Sequence, residues 1–353
     1  MIRSSEDRKK RIIAIWLLIG VFMIMIQVLL GGITRLTGSG LSITEWSPIM
    51  GTIPPLNHED WLIAFHKYQL TPQYQYLNSD FTLSEFKYIY FWEWFHRIWA
   101  RLLGVVFLVP FIYFIAKKWF SKNMTKPMII LFLLGAMQGL VGWIMVQSGL
   151  TDERVSVDHY KLSVHFISAL VLLCYTLWFA MTLLFDKNKK TYAPNFRKYT
   201  FWIMVVLGIQ LFYGAFMAGL HAALAANTWP GVNGQFFPTF YKGEDSWLYA
   251  LTSGRVNVQW IHRGLAYGLT ILLVIWWWQA RNISKSQLIS KLAIVPLVLV
   301  IIQIILGVLT VLNSTTNIPV TWAVLHQFNG MLLLMAIFMG YYLVSKKTQV
   351  AVS

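Results

Sequence analysis

Long apolar runs alternate with short basic segments along the chain, and this pattern fixes the first expectation. The runs Ile12–Leu30, Phe91–Ala116, Pro127–Val146, Tyr160–Phe185, Phe201–Leu220, Val256–Ala280, Leu292–Leu312 and Thr321–Val344 are each long enough to cross a hydrocarbon core of about 30 Å as one helix. Between them, Lys and Arg cluster in the N-terminal tail, Lys117–Lys126, Asp186–Lys198, Arg281–Lys291, and at Lys346 and Lys347. By the positive-inside rule these segments face the cytoplasm, so eight helices leave both termini cytoplasmic. The first run follows Arg8, Lys9, Lys10 and Arg11 and shows no small-residue cleavage site, so it reads as a retained helix and not a removed signal. Two longer outer segments, Gly31–Lys87 and His221–Arg255, are rich in Gly, Pro, Trp and Asn and are expected to form ordered caps.

The chain also repeats itself. Odd-numbered helices end in Gln, three residues, then Gly: Gln27/Gly31, Gln138/Gly142, Gln210/Gly214 and Gln303/Gly307. WEWFHRIWARLLG around His96 echoes VQWIHRGLAYGL around His262, and the surroundings of His165 align with those of His326. A tandem duplication of a four-helix unit explains these echoes. The predicted architecture is an all-α polytopic membrane protein of two four-helix bundles, residues 1–190 and 191–353, related by a pseudo-twofold axis near the membrane normal.

Composition agrees: hydrophobic residues are 57% and charged residues 12%, where a soluble domain carries about 25% charged. The net charge of +15 is spent on topology, so no nucleic-acid partner is implied; the partner is the lipid bilayer. Cys174 stands alone, which excludes an intramolecular disulfide or a CxxC metal site.

Four of the eight histidines, His96, His165, His262 and His326, lie in even-numbered helices, about five to seven residues (roughly 7–11 Å) inside the outer end. Such a set at one depth can supply axial ligands to haem iron. Polar bridges between helices are the plainer reading, and copper or zinc a lesser one. His58 and His66 fall in the outer cap, His159 lies about 240° round the helix from His165, and His221 opens the second cap. Glu93 stands three residues before His96, where the other half has Gln259. A buried carboxyl can exchange protons beside a reacting group; alternatively Glu93 pairs with an arginine such as Arg35 or Arg97. Arg35, Arg97, Arg101 and Arg263 can meet haem propionates or serve as snorkelling anchors.

Several stretches resemble the haem A synthase family from about Ile12 to Val344: Gly31–Ser42, Trp46–Leu56, Glu85–Gly104, Gln138–Leu150, Ala218–Gly231, Gln259–Tyr267 and Leu325–Gln327. The most specific are GGITRLTGSGLS and the ExxHR motif at Glu93–Arg97. The resemblance implies oxidation of the C8 methyl of haem O to a formyl group, giving haem A for cytochrome oxidase. It implies that His262 and His326 ligate a resident haem b, that His96 and His165 face the substrate haem O, and that Glu93 is needed for oxidation. It further implies an electron-transfer partner, possible contact with haem O synthase and oxidase assembly factors, possible homo-oligomers, and a bacterial inner membrane with haem sites towards the outer side. Lacking the loop cysteine pair, the sequence is similar to the cysteine-poor type of mitochondria and many Gram-negative bacteria. A dihaem electron-transfer subunit, and behind it a transporter, are the competing classes.

Overall fold

The computed structural model describes residues 5–44, 52–150, 154–185, 190–238, 246–283 and 288–345. Residues 46–51 of the Trp46–Leu56 motif, Lys346 and Lys347 lie outside these. The helices are α1 Ser5–Leu36, α2 His58–Gln69, α3 Pro72–Leu77, α4 Leu83–Ala116, α5 Lys122–Gln147, α6 His159–Leu184, α7 Pro194–Gly219, α8 Trp247–Ser253, α9 Arg255–Ile283, α10 Leu288–Leu292, α11 Ile294–Leu312 and α12 Val320–Leu343. Eight segments are long and apolar enough to cross a membrane: α1, α4, α5, α6, α7, α9, the α10–α11 stretch and α12. The chain is an all-α polytopic membrane protein, as its hydropathy predicts.

The helices overrun their apolar runs for local reasons. α4 begins eight residues before Phe91 because Thr82 and Glu85 form a reciprocal cap: Thr82 N and Oγ1 donate to Glu85 Oε2 at 2.7 and 2.8 Å. The stretch before Leu312 is interrupted at Ala293, where Pro296 has no N–H to offer the Leu292 carbonyl and its ring crowds it.

By its internal contacts the chain divides into two units, Trp16–Thr176 and a second that holds Leu177–Ser353 with Met1–Ile15. Within the first, α1, α4, α5 and α6 form a closed circuit. Trp16 Nε1 donates to Val106 O (2.8 Å) and Trp99 Nε1 to Met23 O (3.0 Å), joining α1 to α4 antiparallel. Phe107 stacks on Phe132 between α4 and α5, Tyr175 OH donates to Pro127 O between α5 and α6, and Gly20 meets Thr176 between α1 and α6. The outer cap of this unit has its own small core, Tyr68, Phe86 and Ile89 under Trp61, Phe65 and Tyr74. Gln73 Nε2 ties it to Gly38 O at 2.9 Å. Both long outer segments thus carry ordered helices, α2 and α3 in one and α8 in the other.

The second unit closes in the same manner. Trp276 Nε1 of α9 donates to Thr200 Oγ1 of α7 at 2.9 Å. Asn329 Nδ2 of α12 donates to Leu299 O of α11 at 2.9 Å, and Arg197 of α7 donates to Tyr341 O of α12 at 2.6 Å. Two-residue strands β1 Thr191–Tyr192 and β2 Val344–Ser345 pair in parallel beside that last contact.

Candidate functional site

Each of the four Gln-x3-Gly motifs packs against one of the four histidines. Residues four apart lie one turn apart on nearly the same face, so glutamine and glycine act on the same ring. Gln27 and Gly31 of α1 face His96 of α4, and Gln138 and Gly142 of α5 face His165 of α6. Gln210 and Gly214 of α7 face His262 of α9, and Gln303 and Gly307 of α11 face His326 of α12. A Cβ on these glycines would stand 3.2, 2.7, 3.4 and 2.9 Å respectively from the histidine Cε1. The missing side chain is what lets one helix lie directly against the imidazole of the next.

The glutamine amide nitrogens reach a ring nitrogen at 3.2 Å for Gln27–His96, 3.2 Å for Gln138–His165, 3.4 Å for Gln210–His262 and 3.2 Å for Gln303–His326. Two of the glutamines are themselves held. Gln138 Oε1 accepts from Ser168 Oγ and Gln303 Oε1 from Asn329 Nδ2, both at 2.6 Å, and each donor stands three residues after its histidine. Gln27 Oε1 and Gln210 Oε1 have no partner among the described residues.

The protonation pattern of His326 follows from its neighbours. Its Nδ1 lies 3.0 Å from Gln303 O, which can only accept; its Nε2 lies 3.2 Å from Gln303 Nε2, which can only donate. Both constraints place the proton on Nδ1 and the lone pair on Nε2. The His262 and His326 rings are 6.4 Å apart, centre to centre, at an interplanar angle of 68°.

Around His96 and His262 the flanking residues grip the outer loop in matching ways. α1 ends in a left-handed Gly38 (φ 68°) and a 3-10 turn, Ser39–Leu41; α7 ends in a left-handed His221 (φ 51°) and a 3-10 turn, Ala222–Ala225. In the first unit, Glu93 Oε2 accepts from Ser42 N (2.7 Å), Ser42 Oγ (2.7 Å) and Ile43 N (2.9 Å). Arg97 Nη2 donates to Glu93 Oε1 at 2.5 Å and to Ile43 O at 3.2 Å. In the second unit, Gln259 Nε2 donates to Ala226 O at 2.9 Å, and Arg263 donates to Gly231 O at 3.0 Å and Ala226 O at 3.4 Å. The residues three before and one after each histidine are therefore loop clamps, one ionic and one neutral. Glu93 is 3% exposed, so its partners are protein groups and not bulk water.

The COX15-CtaA family, described as cytochrome oxidase assembly protein, matches residues 14–338. The chain belongs to this family. Among its relatives, the heme A synthase of Flavobacterium psychrophilum is 41% identical over 333 residues, 93% of this chain and 96% of the relative. That of Flavobacterium johnsoniae is 38% identical, over 96% of this chain and 99% of the relative. That of Nitrosomonas eutropha is 38% identical, over 92% and 91%.

A haem makes a definite demand on the side chains of this COX15-CtaA chain. Two imidazoles on opposite sides of one metal, with metal–nitrogen bonds of about 2 Å and about 1 Å more to each ring centre, stand roughly 6 Å apart. The 6.4 Å between His262 and His326 fits that demand, and the iron would take the His326 Nε2 lone pair in place of its hydrogen bond from Gln303 Nε2. Among the described residues, no three His, Cys, Asp or Glu side chains converge as a metal site; a haem needs only two axial ligands from the protein. Of the other histidines, His58 and His66 are exposed on α2, His159 lies against Tyr160 with ring centres 4.1 Å apart, and His221 holds the left-handed turn. Gln27, Gln138, Gln210 and Gln303 are site residues that the repeat marks without revealing which histidine each would meet.

Proposed function

We propose that the chain is a haem A synthase, an oxidoreductase that converts the C8 methyl of haem O to a formyl group and so supplies haem A for cytochrome oxidase. The supporting observation is the fourfold packing of Gln-x3-Gly helices against His96, His165, His262 and His326 in a family whose relatives carry that name. In this reading residues 1–190 hold the substrate and 191–353 a resident haem b, two tandem bundles related by duplication, with both termini cytoplasmic and the haem sites towards the outer face of a bacterial inner membrane. His262 and His326 would hold the haem b iron, which supplies one-electron transfer when bound. Gln210 and Gln303 fix the planes of those rings, and Gly214 and Gly307 make room for them.

His96 and His165 would hold the substrate iron and so set where the C8 methyl stands. Glu93 is the group assigned to the oxidation, as acceptor of a proton or stabiliser of developing positive charge. Its carboxyl is presented by the Ser42–Ile43 backbone and Arg97. The methyl is oxidised twice, each time losing two electrons and two protons and taking up one water, and the resulting diol returns one water to leave the aldehyde; the four electrons go to a transfer partner. Arg35, Arg97, Arg101 and Arg263 are the cations available to propionates, with Arg97 and Arg263 also engaged by loop carbonyls.

The test is co-expression with a haem O source and analysis of extracted haems. Hydroxylated or formyl haem is expected; its complete absence sinks the reading. Haem stoichiometry after purification separates it from a dihaem electron-transfer subunit, which would hold two permanent b-type haems and convert nothing.

A further inference from the structure

Nε and Nη2 of Arg35 and Nε1 of Trp92, all buried donors of the first unit, have no acceptor among the described residues. Their positions are linked. α1 and α4 run antiparallel in a register that sets Gly31 against the His96 ring. One turn further out on both helices, that register sets residue 35 beside residue 92. The bond from Thr34 Oγ1 to Trp92 O at 3.3 Å confirms the level. Gln27, Gly31 and Arg35 continue one stripe of α1, and Trp92 stands four before His96 on α4, so both residues are anchored one helical turn, about 6 Å, outward of the His96 level.

The second unit has the same register and none of these donors. Gly214 meets His262, and four residues outward on each helix stand Ala218 and Val258, the latter fully buried. Arg263 there is engaged with Gly231 O and Ala226 O. A shielded guanidinium fork and an indole N–H without acceptors are costly to keep, and their common complement is an oxyanion, which a guanidinium takes in bidentate fashion.

We propose that Arg35 and Trp92 form a carboxylate-binding pair belonging to the first unit alone, which takes a propionate of the porphyrin held at His96. The pair fixes which way the macrocycle is turned, and hence which edge methyl is presented, while the second unit grips its porphyrin without it. This rests on the first unit's being the substrate site.

The experiment uses the full-length protein in detergent, as purified, titrated with zinc protoporphyrin IX and with its dimethyl ester and followed by porphyrin fluorescence. His96→Ala and His165→Ala identify the signal of the first unit. Wild type is expected to bind the diacid about 30-fold more tightly than the diester, within the range for one charged hydrogen-bonded pair. Arg35→Leu should bring that ratio to about 3-fold or less, Arg35→Lys should retain part of it, and Trp92→Phe should lower it several-fold. Trp92→Phe preserves the apolar bulk and decides the matter should Arg35→Leu not fold. An unchanged diacid preference in Arg35→Leu or Trp92→Phe, with porphyrin still bound through His96 and His165, overturns the carboxylate pair alone. Porphyrin binding that ignores His96→Ala and His165→Ala overturns the substrate site, and the pair with it.

Discussion

Removing the Glu93 carboxyl separates its grip on the outer loop from the chemical role proposed for it, and the structure sets the size of the first effect. Glu93→Ala deletes the acceptor for Ser42 N, Ser42 Oγ, Ile43 N and Arg97 Nη2. Breaking a buried ion pair from one side costs about 3–5 kcal/mol, roughly two to four orders of magnitude in the folded-to-unfolded ratio. Glu93→Gln keeps an oxygen for Ser42 and Ile43 but turns its NH2 towards Arg97 Nη2, donor against donor, so the Arg97 bond is lost. Loss of one charged hydrogen bond puts that cost at about 1.5–3 kcal/mol. Gln259 shows that the fold accepts an amide at the matching position, where it holds Ala226 O. Denaturant unfolding in detergent, followed by tryptophan fluorescence, should rank wild type above Glu93→Gln above Glu93→Ala. Haem extracts from the same cells should contain no formyl haem in either variant if the carboxyl takes part in the oxidation. An Ala variant within about 1 kcal/mol of wild type refutes the clamp energetics. A Gln variant with full conversion refutes the chemical role and leaves Glu93 a loop fastener.

Further outcomes follow from the histidine surroundings. Alanine at the four motif glycines should damage its site in the order Gly142, Gly307, Gly31, Gly214, following Cβ approaches of 2.7, 2.9, 3.2 and 3.4 Å. Overpacking costs about 1–3 kcal/mol at the tightest of these, measured as thermal midpoint and retained haem. Gln303→Leu removes the donor to His326 Nε2 and strands Asn329 Nδ2. Its bound haem should show a shifted reduction potential and lower occupancy, while Ser168→Ala, which acts in the other unit, should leave that potential unmoved.

The eight spans are legible in the sequence because lipid demands continuous apolar helices of a set length. The four histidines are legible because each repeats in a shared motif. Their partners are not. Gln27 and His96 are 69 residues apart, Gln138 and His165 27, Gln210 and His262 52, and Gln303 and His326 23. No fixed spacing joins them, since cap lengths between helices vary while the packing does not. Glu93 shows the converse. Both a chemical role and an arginine partner are readable from ExxHR, but its grip on Ser42 and Ile43 depends on a turn about fifty residues upstream. Arg35 and Trp92 look like ordinary interfacial residues in sequence; only the antiparallel register puts them at one level.

The short pairing of β1 with β2 has a meaning for the history of the chain. Thr191–Tyr192 lies beside Val344–Ser345, with Arg197 donating to Tyr341 O and Val344 O and stacked on the Tyr341 ring at 3.7 Å. The polypeptide therefore enters and leaves the second bundle at one corner. A bundle whose two ends meet can be copied head to tail with a joint of a few residues, because no connection has to travel its length. Joining such a unit to a neighbour therefore needs only a short connection.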